Sequence, residues 1–507
     1  MLIEFILEAL PQLIGDGFVD TAHVYLYACQ KKMERDISQE RTFTSLADKL
    51  YFLCELSWEM LTTTNMSLNY KLFPERIHRF FGEKVQEKEL DHWWFDLTGQ
   101  TLLIRDSDGN YTPAHRSLLE FFAAYKFAAV LGLLPPDFAT LAKQQRNVDP
   151  NKPALDQRWS EYFRASGETL HPLASFVPET AEHLNVAVAR YWLPDAVLRF
   201  VAEMVSNNAN AIERLGNWAW EGTGELAWDA IMVLAYLKAF NPKQAAAGLL
   251  QASKGKPLKG GVAWVLGELG VAGDEVVYLL EQAANFPDNS DAWWHSTFAL
   301  GKLGRISKPV DHMIARLPAE WNVLKAVKQI ESAIAAPQWA EIRMEHKAVI
   351  ALVQAYRNGE ITKHEIEKLL EPIDYAGARH VYYAIWLLGE LRVKTALPKI
   401  LLARDHPQAS VRNCLSEAIG KMGSEVISEE IVEVLKHLLH HDSYYRIRFN
   451  CARSFARLGA VSAIPDLDEA LRKEEVSDVR AELEWAIQEL KKRDAEAKET
   501  HSSHTSQ

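Results

Sequence analysis

One histidine stands where its side chain could carry chemistry. His115 lies between a β-prone run and a strongly apolar helical run in RDSDGNYTPAHRSLLEFFAAYKFA, residues 105–128. The charge of a histidine changes near neutral pH, and its ring nitrogens can donate or accept hydrogen bonds or bind a ligand. A half-buried His that caps the following helix is the plainer interpretation. These residues alone leave open whether His115 does more.

Arginines recur in the last third of the chain at spacings that bring their charges together. One predicted helical face carries Arg446, Arg453 and Arg457. Three more follow Val or Ile at matching repeat positions, namely Arg412, Arg448 and Arg480. These side chains could form a ladder between repeats, paired with acidic neighbours. On the second interpretation, the six arginines bind an acidic partner or nucleic-acid phosphates.

Motifs for catalysis and for binding metals or phosphates are absent from the sequence. It has no nucleophile elbow, zincin helix or glycine-rich cofactor loop, and no G-x-x-x-x-G-K-[ST] string. DSDGN, residues 106–110, has the wrong spacing for a calcium loop and predicts a hairpin turn. The histidines of KHLLHHD lack a clear third ligand and predict a polar helix end. We therefore predict no enzyme activity, no catalytic residue, no metal site and no bound cofactor.

Length, charge and cysteine usage limit the class of protein further. The chain has 507 residues and a formal net charge of -12, which disfavours a general nucleic-acid binder. No apolar stretch is long enough to span a membrane, and the N-terminal MLIEFILEAL carries Glu4 and Glu8, unlike a signal peptide. Four scattered cysteines predict buried, reduced thiols. We expect a cytoplasmic protein that has no membrane partner.

The second half of the chain contains an internal repeat. Apolar helical segments end at 238, 270, 304, 392, 423, 459 and 491, and five of the six intervals are 31–36 residues long. The sixth interval, 88 residues, leaves room for two or three altered units. A Gly at four of these ends can form a left-handed cap, and Pro309, Pro398 and Pro465 suit the first turn of the next helix. Two-helix units that bury their apolar faces against each other form an α-solenoid.

This repeat resembles HEAT repeats. The period, the Gly, the Pro and a second helix that opens with Val-Arg or Ile-Arg all match; the opening occurs at 411–412, 447–448 and 479–480. The resemblance extends over about 225–491 and is closest to the short HEAT-like units of bacterial proteins. It implies a solenoid whose concave face binds a protein.

The first 130 residues follow a different pattern. Helical segments lead to two β-prone runs, LTGQTLLIR and NYTPAH, and the apolar helix 117–130 follows. Helices, a hairpin and a further helix are typical of a winged helix. TPAHRSLLEFFAAYKFA resembles the end of the winged-helix domain in NACHT-type signalling NTPases of the STAND class, where F-x-H-x-S-F-x-E-[FY]-x-A-A recurs. Leu118 replaces the second Phe of that pattern and Pro113 the first.

The resemblance implies a role for His115. In that family the corresponding His contacts the β-phosphate of bound ADP, so His115 would be a cofactor-binding residue that senses nucleotide. Because no phosphate-binding loop occurs here, the nucleotide would belong to a separately encoded NTPase. The chain therefore resembles the C-terminal part of a bacterial NACHT or STAND protein without its NTPase core.

These observations predict an all-α protein. We expect a helical and winged-helix domain with one small β-hairpin at 1–133, a hinge and irregular helical region at 134–225, a HEAT-like solenoid at 226–494 and a disordered tail at 495–507. The predicted function is a non-catalytic sensor or adaptor in a signal-transduction or defence system, with a protein partner. The alternatives are a HEAT-type nucleic-acid binder that uses the Arg stripe, and a HEAT protein similar to chromophore lyases.

Overall fold

The computed structural model describes most of the chain, in two compact units at 1–276 and 277–507. The described residues are 20–39, 46–63, 67–81, 90–98, 102–130, 132–138, 195–222, 224–253, 255–336, 344–376, 380–474 and 476–504. The apolar N-terminal segment and most of the predicted hinge lie outside them. The predicted domain boundaries at 133, 225 and 494 stay predictions.

The first unit is helical with one small sheet. Its helices are α1 (Thr21–Gln39), α2 (Leu46–Thr63), α3 (Phe73–Phe81), α4 (Leu90–Thr98), α5 (Arg116–Val130), α6 (Asp195–Val205), α7 (Ala209–Glu221), α8 (Gly224–Tyr236), α9 (Pro242–Ser253) and α10 (Gly260–Leu269). Its strands are β1 (Leu68–Asn69), β2 (Leu103–Arg105) and β3 (Asn110–Pro113). Helix α11 (Asp274–Asn285) contains the boundary between the units.

Helix α5 lies at the centre of the N-terminal part. It packs against α2 and α6, and every residue from 121 to 129 is buried. Its Phe121, Phe122 and Tyr125 are among the largest fully buried side chains. The apolar helix predicted at 117–130 is therefore confirmed, and its burial fixes the position of the segment that begins at His115.

The sheet has three strands in the order β1-β3-β2, all antiparallel. Strands β2 and β3 form the predicted hairpin, and Asp106 Oδ1 accepts hydrogen bonds from the backbone N–H of Asp108 and Asn110 at 2.9 and 2.8 Å. Gly109 has a φ of 82°, as this turn requires. The prediction of a single hairpin was incomplete, since β1 pairs with β3. Two residues are too few for an alternating pattern to be visible in the sequence.

The second unit consists of helical pairs. Its helices are α12 (Ser290–Lys302), α13 (Pro309–Ile314), α14 (Val323–Ala335), α15 (His346–Arg357), α16 (Lys363–Leu369), α17 (Val381–Glu390), α18 (Leu397–Ile400), α19 (Ala409–Lys421), α20 (Glu429–His441), α21 (Tyr445–Leu458), α22 (Ile464–Lys473) and α23 (Ser477–His504). Helices α12, α15, α17, α19, α21 and α23 each contact the next in this order, which makes them the second helices of successive units. Helix α23 extends into the segment for which a disordered tail was predicted.

The ends of α10 and of the second helices have the positive φ that was predicted for their terminal glycines. Positive φ angles occur at Gly270, Gly304, Gly359, Gly423 and Gly459. Gly359 follows α15 and divides the interval from 304 to 392, which therefore contains two units, ending at α15 and α17. Pro309, Pro398 and Pro465 all lie in the first turn of a helix, as predicted. At 392 the same cap is formed by an arginine, with a φ of 54°.

Replacing Arg392 by Gly is expected to stabilise the second unit. A side chain in the left-handed region costs roughly 1 kcal/mol relative to Gly, so Arg392→Gly should raise the free energy of unfolding by about that amount. Urea denaturation followed by circular dichroism measures the change. Gly359→Ala, at the equivalent cap, serves as the matched control and should have the opposite sign. An unchanged or lower midpoint for Arg392→Gly would show that the Arg side chain has a compensating contact.

Candidate functional site

Arg412 lies in a buried set of polar contacts between two repeats. Its Nε and Nη2 donate to Asp442 Oδ2 and Oδ1 at 2.6 and 3.1 Å. Its Nη1 donates to the backbone carbonyls of His406 and Pro407 in the loop before α19. The side chains of Arg412 and Asp442 are only 6% and 3% exposed. One guanidinium thus joins its own loop to the next loop, and we refer to this arrangement as the arginine link.

The arginine link recurs in the following repeat. Arg448 Nε and Nη2 donate to Glu474 at 2.7 and 3.0 Å, and its Nη1 donates to the carbonyls of Asp442 and Ser443. Arg480 Nη1 donates to the carbonyl of Glu474 at 2.9 Å, the same six-residue step back along the chain. Asp442 and Glu474 therefore each bind one arginine through the carboxylate and the next through the backbone. These contacts agree with the first interpretation of the arginines, a ladder between repeats in which each Arg is paired with an acidic neighbour.

The remaining three arginines of the predicted stripe differ in exposure. Arg453 Nε and Nη2 donate to Glu482 at 2.7 and 3.0 Å, and the guanidinium lies 4.7 Å from the Phe449 ring. Arg446 is half-buried beside the Tyr445 ring. Arg457 is exposed. Burial raises the pKa of the Glu417 carboxyl, but the positive charges nearby outweigh it and lower the pKa. Lys421 contributes most to this lowering, and Arg457 contributes as well. Partner binding by these six side chains stays a prediction.

The polar surface of the second helices combines both signs of charge. Lys421 binds Glu390 and Glu417 at 3.2 and 3.0 Å. Asn450 Nδ2 donates to Asn413 Oδ1 at 2.9 Å across α19 and α21. Carboxylates also neutralise three of the six predicted arginines, namely Arg412, Arg448 and Arg453. A surface of paired charges suits a protein partner better than a phosphate backbone, because phosphate binding depends on unneutralised Lys and Arg.

His115 is exposed and lies at the residue that precedes α5. Its Nδ1 accepts a hydrogen bond from the Ser117 N–H at 3.2 Å and lies 2.5 Å from Ser117 Oγ. Tyr25 OH on α1 donates to the same Ser117 Oγ at 2.6 Å. The His115 ring thus satisfies a free N–H at the start of a helix, as a capping side chain does.

A cluster of charged groups not singled out by its sequence pattern lies in the first unit. His23 Nδ1 and Nε2 bind Asp20 and Asp137 at 2.6 and 2.5 Å. Burial alone would lower the pKa of His23, but the hydrogen bonds to Asp137 and Asp20 outweigh it and raise the pKa to about 9. The cluster borders a cavity of about 370 Å³ that Glu203 also lines. Asp137 is 114 residues from His23, so no local spacing could have revealed the pair.

The first unit is expected to lose stability as the pH rises from neutral to alkaline. The pKa of His23 is about 9 in the folded chain and roughly 6.5 in an unfolded one. The stabilisation from its charged form is therefore complete below about pH 6.5 and is lost as the pH rises through about 9. Urea unfolding at several pH values measures the loss, and His23→Gln should flatten the profile. An unchanged slope in that variant would contradict the assignment.

Two groups of histidines in the second unit lie near carboxylates. His437 and His440, at the predicted polar helix end, lie 3.4 and 3.8 Å from carboxylate oxygens of Asp405 and Asp466. A second group was missed: among the described residues, Asp291, His295 and His346 each place one potential ligand atom within 4.8 Å of the other two. The i,i+4 spacing of Asp291 and His295 was visible in the sequence, whereas the contribution of His346 depends on the fold. Burial and the nearby His295 lower the pKa of His346 to about 3.

Cys29, Cys54, Cys414 and Cys451 are all buried and unpaired by disulfides, as predicted. In the part of the chain that the structure describes, no helix combines the length and apolarity that a bilayer crossing demands.

Comparison with known proteins identifies the repeat type at the C-terminal end. Residues 425–488 match the family model for HEAT repeats. This matched HEAT segment contains Asp442, Arg448, Glu474 and Arg480, so most of the arginine link lies inside it. HEAT repeats are helical-repeat modules that commonly mediate protein interaction.

One curated relative shares a large part of the chain. It is an uncharacterized WD repeat-containing protein from Nostoc sp., 51% identical over 220 residues. The similarity covers 42% of this chain and 14% of the relative. The chain therefore corresponds to a small fraction of that much longer protein.

Proposed function

We propose that this chain is a non-catalytic regulatory module of a NACHT/STAND-type signal-transduction system, acts in the cytoplasm and binds a protein partner through its HEAT repeats. The observation that carries the proposal is the pairing of three of the six predicted arginines with carboxylates. Arg412 and Arg448 are paired inside the fold and Arg453 at its surface, and the chain has a net charge of -12. Both features favour a protein partner over nucleic acid.

The order of elements in the N-terminal part supports the STAND-type assignment. The elements follow one another as α2, β1, α3, α4, β2, β3 and α5, with sheet order β1-β3-β2, and this order supports the proposal of a winged helix. In a winged helix of this order, α4 would be the recognition helix, which reads DNA in helix-turn-helix proteins. It has the sequence LDHWWFDLT, with two Asp and no Lys or Arg. We infer that this winged helix contacts protein.

His115 would then report on a nucleotide bound to a separate NTPase. Its exposed position at the start of α5 leaves the ring accessible to a partner. The relative from Nostoc sp. is named for WD repeats, and such repeats form propellers, a second kind of repeat scaffold. We infer that the segment shared with this chain belongs to a protein that is likewise built on repeat scaffolds.

The His115→Ala variant is expected to keep its fold. Loss of the cap contact should lower the free energy of unfolding by only about 0.5–1 kcal/mol, because the contact is exposed. Asn is a good capping residue, so His115→Asn should restore this loss. Circular dichroism measures the helix content, and nucleotide titration of the complex with the NTPase measures sensing. We expect His115→Ala to weaken ADP binding by the complex. His115→Asn should recover the stability of the chain but not the ADP binding. An unfolded N-terminal part in His115→Ala would instead assign the residue to helix capping alone.

Affinity capture tests the proposed partner class. The full chain is immobilised, incubated with nuclease-treated native extract and washed at increasing salt, and bound proteins are identified by mass spectrometry. We expect to capture, in stoichiometric amount, a protein that has a phosphate-binding loop. The Arg457→Glu substitution on α21 should weaken this capture. Arg472→Glu on α22 is the matched control, since Arg472 is also exposed in the same unit. Capture that disappears with nuclease, or nucleic-acid binding that falls steeply with salt, would favour the nucleic-acid alternative.

A further inference from the structure

Two helices of the second unit bring together three side chains that bind transition metals. Asp291 and His295 are four residues apart on α12, so their side chains lie on one face of the helix. His346 is the first residue of α15, which packs against α12. One ligand atom from each residue lies within 4.8 Å of the other two.

The separations are close to those of an occupied site. His295 Nε2 lies 3.5 Å from Asp291 Oδ1. Two ligands at about 2.0–2.2 Å from a tetrahedral zinc ion are roughly 3.3–3.5 Å apart. The two α12 side chains are therefore already spaced as ligands. A side-chain adjustment of roughly 1 Å brings His346 to the same spacing.

His346 has the surroundings of a metal ligand. Ser290 Oγ lies 3.3 Å from its Nδ1 and Tyr383 OH lies 3.4 Å from its Nε2. Whichever ring nitrogen binds a metal ion, the other one keeps a hydroxyl neighbour, and a hydrogen-bond partner on that nitrogen orients the ring of a ligating histidine. The ring packs against Trp294, with centroids 4.6 Å apart. These contacts fix the orientation of the ring.

We propose that Asp291, His295 and His346 form a binding site for Zn²⁺ or a similar first-row divalent ion, with the remaining position open to solvent. Two imidazoles and one carboxylate favour such ions over Mg²⁺ and Ca²⁺, which prefer oxygen ligands. Asp291 is 60% exposed, so an ion can reach the site. The ion connects α12 to α15 across the longest interval between repeat ends, the 55 residues between Gly304 and Gly359. This site does not depend on the proposed signalling function.

Calorimetric titration of the metal-free full chain with Zn²⁺ tests the site. We expect one ion per chain, a higher melting temperature with Zn²⁺ but not with Mg²⁺, and the visible spectrum of tetrahedral Co²⁺ on titration with cobalt. His295→Ala should weaken Zn²⁺ binding more than about 10-fold, since removing a ligand costs at least as much as removing a second-shell partner. Asp291→Asn, an exposed and nearly isosteric change, should weaken it as well.

His364→Ala is the matched control, because His364 is an exposed histidine of the same unit. It should bind Zn²⁺ as the unmodified chain does. The proposal is overturned if the unmodified chain binds no Zn²⁺ in the micromolar range. It is also overturned if both His295→Ala and Asp291→Asn retain full affinity, which would place the bound ion elsewhere.

Discussion

Replacing Arg412 by Met is expected to lower the free energy of unfolding of the second unit by about 3–5 kcal/mol. The variant removes the charge that neutralises Asp442, whose side chain is 3% exposed. It also leaves the carbonyls of His406 and Pro407 without their guanidinium donor. Leaving a buried carboxylate without its partner is among the most destabilising single-site changes in proteins. Because Met retains most of the side-chain volume of Arg, the loss is not due to a cavity. Urea denaturation of the full chain measures the change.

Arg404→Met provides the comparison. Arg404 binds the neighbouring Asp405, but the two side chains are 45% and 63% exposed. Exposed pairs of this kind contribute about 0–1 kcal/mol, so this variant should unfold close to the unmodified chain. Equal effects of the two variants would show that Arg412 contributes no more than a surface ion pair.

Replacing Gly420 by Val is expected to destabilise the contact between α19 and α21 by about 3 kcal/mol. A Cβ at position 420 would lie 2.9 Å from Ser454 Cβ and 3.0 Å from Ser454 Cα. Gly389, one repeat earlier, is approached in the same way by Ala418. Because the neighbouring atoms include backbone, the two helices must move apart to accept a side chain.

Ser410→Val is the matched control on the same helix. Ser410 is exposed, so this variant shares the effect of a β-branched residue on helix propensity without the clash. We expect its urea midpoint to change little. A Gly420→Val protein as stable as Ser410→Val would mean that the second helices are not closely packed at this point.

The repeat could be predicted from the sequence because its signals are local. The Gly caps, the Pro in the first turn and the Val-Arg opening each depend on one or two residues, and all of them recur. Gly359 was not recognised as a mark, because the polar Asn358 precedes it. In the units that were recognised, Leu or Met stands at this position. Arg392 shows the opposite case, in which the cap persists without the glycine.

The candidate sites required contacts between distant residues. The choice between a ladder and a binding groove depended on where Asp442 and Glu474 lie, which is 30 and 26 residues from their arginines. His346 is 51 residues from His295, and no helical period connects them. Sequence spacing shows which residues share a helix face, but only the packing of the repeats shows which faces meet.

A double-mutant cycle on Arg448 and Glu474 tests the central claim, that arginine links join successive HEAT repeats. The free energy of unfolding is measured for the unmodified chain, Arg448→Met, Glu474→Gln and the double variant. We predict a coupling energy of about 2 kcal/mol, since the two side chains form one partly buried network. A coupling energy indistinguishable from zero would contradict the link and return these arginines to the role of a free binding surface.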